Sequence, residues 1–134
     1  MHAAALATAD RIDKEARKAI FLHDAAEAYI GDMVRPLKVT MPQYNDAETR
    51  INRAISEAFN VDFEKHREVI KHYDLIMLMA EKRELWPEDT ETWEGFDDVP
   101  EREVEFGFAE PREAETLFLM VANHFDLIPS GVDS

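Results

Sequence analysis

The chain has no cysteine, so disulfides and thiolate metal sites are excluded, and histidine and carboxylate are left as its strong metal ligands. Glycine is scarce, at four in 134 residues, and β-branched runs are absent. Alanine, leucine, glutamate and lysine-type helix formers dominate instead, which predicts an all-α fold. No apolar stretch reaches the ~18 residues of a membrane span and no signal peptide is visible, so a soluble, cytoplasmic protein that does not engage a membrane is expected.

Positive charge is also in short supply. A net charge of −14 argues against a nucleic-acid polymer as partner, because binding a phosphate backbone needs a basic surface. The deficit is uneven: residues 1–40 carry six acids and six bases, so all of the excess lies in residues 41–134. A small anionic substrate can still be held near the N-terminal half, especially beside a bound cation. The length suits one domain with a proper core, placed at residues 1–128 with a tail at 129–134.

One stretch sets a chemical problem: AIFLHDAAEAYIGD, residues 19–32. It reads as a single helix stopped by Gly31. His23 and Asp24 interrupt its apolar run, and a buried carboxylate is costly unless something pairs with it. Neighbouring side chains on a helix point about 100° apart, so these two do not face each other. Both can aim at a third object between helices, and a metal ion is the natural candidate. Glu27 lies one turn beyond His23 on the same face. A purely structural His-Asp pair is the alternative, against which the apolar setting, Glu27 and Asp32 weigh. Asp74 poses the same problem in HYDLIMLMA, where every neighbour on its C-terminal side is apolar; an inter-helix salt bridge is the alternative there.

The string HDAAEAYIGD, with Glu27 four residues and Asp32 nine residues after His23, resembles the signature of the HD-domain metal phosphohydrolases. More narrowly, it is similar to the small 5'-deoxynucleotidase-like branch and its phage-type relatives. The resemblance spans roughly Met1 to Ile128 and is specific around residues 22–38 and 70–87, the latter including Asp74 and the sequel Glu81 to Pro87. It implies a compact helical bundle of about five helices plus an acidic loop. It implies one divalent ion held by His2, His23, Asp24 and Asp74, and such an N2O2 set suits Mn, Fe, Co, Ni or Zn better than Ca. Glu27 would orient the attacking water or shuttle a proton, and Asp32 would orient water or contact the sugar. Arg35 and Lys38 would meet the substrate phosphate.

The function implied is hydrolysis of nucleotide phosphate esters, in the first place release of phosphate from deoxynucleoside monophosphates. A deoxynucleoside triphosphate hydrolase on the same metal site, or a degenerate nucleotide-binding module without turnover, are the alternatives. Homodimerisation is left open. Members of the resembling family carry a further segment before the first histidine, so a truncated start is expected here, with His2 on a fraying turn and the ion held weakly.

The rest of the chain reads as scaffold. Asp13 predicts an N-cap, and Pro36 predicts a loop over Asp32–Lys38. A packing helix is expected from Asp46 to Phe59 with Ile51, Ala54, Ile55, Ala58 and Phe59 as its stripe. After a turn, Asp62 is expected to cap a helix from Phe63 to Leu85. Residues 86–115 hold twelve acids and two bases among aromatics, and read as an ordered surface loop or lid. Pro111 starts a last helix whose stripe, ending at Phe125, is expected to close the bundle. His66, His72 and His124 read as capping, surface or structural residues.

Overall fold

The computed structural model describes residues 2–89, 91, 93, 96, 98–104, 106–107 and 110–128. Every regular element among them is helical: α1 (His2–Ala9), α2 (Lys14–Leu22), α3 (Glu27–Ile30), α4 (Arg35–Lys38), α5 (Pro42–Phe59), α6 (Arg67–Leu85) and α7 (Pro111–His124). None of these helices is long and apolar enough to cross a membrane. The expected tail at 129–134 lies outside the described residues.

Alanine sets the centre of the packing. Ala3, Ala4 and Ala7 form the buried face of α1, and their small side chains let it lie close against α2 and α6. Ile20, Tyr73 and Ile76 complete that cluster, with Phe21, Ile70 and Met77 packed around it. A second cluster joins Ala19 and Leu22 to Val61, flanked by Phe59, Phe63 and Leu127. The chain turns from α1 to α2 where Arg11 takes a φ of 58°. Asp13 then caps α2 as expected, its carboxylate accepting the Ala16 N–H at 3.0 Å.

Several boundaries differ from the sequence-based expectation. α2 stops at Leu22 and does not run on to Gly31. Between His23 and Ala26 the hydrogen bonds close over three residues, Ala25 N–H to Leu22 O at 3.0 Å and Glu27 N–H to Asp24 O at 2.9 Å. This is the tighter 3₁₀ pattern. Its cause is local: the His23 ring takes the Ile20 carbonyl, at 2.7 Å, which the Asp24 N–H would use in a continuing α-helix. Pro36 does not exclude helix. It sits in the first turn of α4, where its missing N–H costs nothing. Pro42 plays the same part in α5, which begins four residues before Asp46. Asp62 caps only a turn, accepting the Lys65 N–H at 2.9 Å, and α6 itself begins at Arg67 behind a buried His66.

The acidic segment after α6 is tied down by three cations, Lys82, Arg102 and Arg83, the last donating to the Arg102 carbonyl. Lys82 is only 4% exposed; it donates to the Glu91 carbonyl, pairs with Asp89 at 3.2 Å and lies over the Trp93 ring. Arg102 reaches back to Asp10 at the end of α1. α7 starts on a Glu110–Glu113 capping box but closes the bundle only in part. Ala122 and Phe125 are buried and Phe118 meets Phe21, whereas Leu117, Leu119 and Met120 remain exposed because no described element lies opposite them.

Candidate metal and nucleotide site

The site is built where α2 gives way to the tightened turn. A carbonyl only accepts, so the Ile20 oxygen fixes the His23 proton on Nδ1 and turns Nε2 outward from the helix. Nε2 is buried and has no hydrogen-bond partner. Asp24 Oδ2 stands 2.9 Å from it and Asp74 Oδ1, from the middle of α6, 3.9 Å. The Asp24 approach is close enough for an ion pair but off the line of a hydrogen bond, so the nitrogen remains unsatisfied. The carboxylates are more than half exposed, while the ring is mostly covered.

Burial disfavours charge on this ring, but Asp24 and then Asp74 outweigh it and raise the His23 pKa to about 10. Two carboxylates thus hold a positive charge at a point between α2 and α6. The donors suit a cation in place of that proton: one imidazole nitrogen locked by a main-chain acceptor, and two carboxylate oxygens, one from the turn after α2 and one from α6. Among the described residues, no group of three His, Asp or Glu is drawn together tightly enough to form a ready-made metal cage. His2 is exposed, and its ring packs against Phe106 with centroids 5.5 Å apart.

Glu27 opens α3, beyond the tightened turn. It stays within the field of the site. Burial first, then the charges of Asp24 and Asp32, hold its carboxyl above the usual range. Asp32 is exposed just past Gly31, whose carbonyl is held against α5 by the Tyr44 hydroxyl at 2.7 Å. Arg35 is exposed. Lys38 is engaged elsewhere, with Glu48 at 2.6 Å and the Tyr44 ring below it.

Two cavities flank His23. The first, about 420 Å³, is bordered by His23 and Asp24 and otherwise largely apolar, with Phe21, Tyr29, Phe59 and Phe118 in its wall. The second, about 360 Å³, opens toward α6 past Asn52, Lys71 and Asp74. Sequence reasoning missed Asn52, Phe59 and Phe118 as wall residues. The i, i+3 spacing of Lys71 and Asp74 on one helix was a signal that could have found Lys71.

Over 83 residues the chain is 36% identical to the uncharacterized protein YfdR of Escherichia coli K12. The shared stretch takes in 62% of this chain and 46% of that protein, so the similarity reaches less than half of the relative's length. No family model matches the chain, and no solved structure matches it.

Proposed function

We propose that the chain is an HD-type metal-dependent phosphohydrolase acting on nucleotides, releasing phosphate from deoxynucleoside 5'-monophosphates. One observation carries this reading. The buried Nε2 of His23 has no hydrogen-bond partner and faces Asp24 and Asp74, and His23 and Asp24 border a cavity large enough for a nucleoside. The motif around His23 and the helical architecture support it further.

A divalent ion bound there would acidify water and neutralise charge on the phosphoryl oxygens. The chain's own residues supply the remainder. Ile20 fixes the His23 ring through Nδ1, so that Nε2 would be the ligating nitrogen once the ion displaces its proton. Glu27, with its raised pKa, is suited to take a proton from the attacking water and return it to the leaving oxygen. Asp32 reinforces that basicity from the next corner of the chain. Phe59 and Phe118 line the cavity on the His23 side and offer a nucleoside apolar contact.

One observation favours a second reading, a nucleotide-binding module without turnover. His2, the fourth ligand in the resembling family, lies on Phe106. A three-ligand site would hold its ion weakly and could bind nucleotide without cleaving it.

The test is metal content by elemental analysis together with phosphate release from deoxynucleoside mono- and triphosphates, for the wild type and His23→Ala. About one Mn or Co per chain with release of phosphate, both lost in His23→Ala, is the expected result. Metal without release would select the second reading, and no metal would remove both.

A further inference from the structure

The cavity on the α6 side of His23 differs in kind from the apolar one. Its wall includes Asn52, Arg67, Lys71 and Asp74. Lys71 precedes Asp74 by three residues and Arg67 precedes Lys71 by four, so both cations stand on the same face of α6 as the carboxylate. Arg67 pairs with Glu64 at 3.1 Å, but both side chains are largely exposed, and such a pair is readily given up. Lys71 has no ion-pair partner among the described residues. Asn52 Oδ1, arriving from α5, is buried without a hydrogen-bond partner and therefore needs a donor.

We propose that this cavity is the phosphate end of the site, with Lys71 and Arg67 as its anchoring cations, and that the nucleoside lies in the apolar cavity across His23. The inference rests on the phosphohydrolase reading above and gives it a direction. The apolar cavity has Asp24 in its wall and no lysine or arginine, so a phosphate there would be desolvated against a carboxylate. On the α6 side, Glu64 and Asp74 balance Arg67 and Lys71, and a bound divalent cation tips that balance toward an anion. A guanidinium offers a phosphate two parallel hydrogen bonds, and the ammonium adds a point charge. The O–H of a singly protonated phosphate is the donor that Asn52 Oδ1 lacks. Lys38, by contrast, is already occupied by Glu48.

The test uses the full chain loaded with Mn and orthophosphate as probe, with Lys71→Gln and Arg67→Gln combined in one variant. Both side chains are exposed, so the fold should be kept, and a thermal melt checks this. The expected result is unchanged Mn content, orthophosphate binding at least ~10-fold weaker by calorimetry, and a raised KM for deoxynucleoside monophosphate with a smaller change in kcat. Arg53→Gln, an exposed cation paired with Glu57, should change none of these. Equal orthophosphate affinity and KM in the double variant would overturn the inference, as would a wild type that does not bind orthophosphate. If the wild type binds orthophosphate through Lys71 and Arg67 yet cleaves no nucleotide, the anion cavity stands and the hydrolase reading falls.

Discussion

Arg102 closes on Asp10 across 92 residues of chain with two parallel hydrogen bonds, Nη1 to Oδ2 at 3.0 Å and Nη2 to Oδ1 at 2.8 Å. Tyr73 donates its hydroxyl to the same carboxylate at 2.8 Å, so the end of α1, the middle of α6 and the acidic segment meet at one group. Arg102→Ala should free that segment. Hydrogen exchange should speed up across residues 98–104 while α2 and α6 keep their protection, and equal exchange in both proteins would show that the clasp holds nothing. Arg102 and then Tyr73 keep the Asp10 carboxyl below its usual range. The clasp is therefore intact above pH ~4 and opens as pH falls through that lowered value.

Asp13 offers a second acid-sensitive point. Its pKa is lowered chiefly by the Ala16 N–H, so the cap contributes fully above the unfolded carboxyl value and is lost as pH falls below it. Asp13→Ala should cost about 0.5–2 kcal/mol at neutral pH by denaturant melts. Asp13→Asn retains an acceptor that does not titrate, and should flatten the loss of stability between pH 5 and 2.5. An unchanged acid slope would move the titration elsewhere.

Gly31 turns the chain out of α3 at φ 73° and ψ 162°, a region that is nearly glycine's alone. A Cβ there would touch nothing within 4 Å, so Gly31→Ala isolates backbone strain. Destabilisation of about 1–3 kcal/mol is expected from urea unfolding. A neutral result would mean that the corner relaxes freely, with the Tyr44 bond to the Gly31 carbonyl lost.

Glu27→Ala should leave metal content unchanged and lower phosphate release by roughly 10²-fold or more, the usual weight of a positioned acid or base. Wild-type turnover in Glu27→Ala would reduce Glu27 to a surface carboxylate.

What was legible in the sequence follows from how local each feature is. The Asp13 cap, the proline at the start of α7 and the apolar setting of His23 and Asp24 are decided by a few neighbours. The placing of Asp74 with His23 came from the family resemblance and not from burial, since the Asp24 and Asp74 carboxylates are both more than half exposed. The break after Leu22 was hidden, because it depends on one ring nitrogen competing for the Ile20 carbonyl. α4 was hidden because proline breaks a helix interior but is tolerated in a first turn, and the neighbours of Pro36 do not mark which turn it occupies. Lys82 is buried although it lies in a charged run, Glu81 to Glu84. Its partners Asp89, Glu91 and Trp93 lie in an aperiodic segment, so nothing in the pattern announced its burial.

α7 carries Leu117, Phe118, Leu119 and Met120 toward solvent on a chain of net charge −14. Net charge of one sign opposes association of copies through those side chains. That protection has a definite range of conditions. It vanishes near pH 4.6, the isoelectric point given by the sequence. It also fades at ~1 M salt, where charges farther apart than about 3 Å are screened. Colloidal behaviour should follow: clear solutions in dilute neutral buffer, and turbidity under either of the other conditions while the helices remain folded. On this view the acidity of residues 41–134 would serve as a dispersant for an apolar helix.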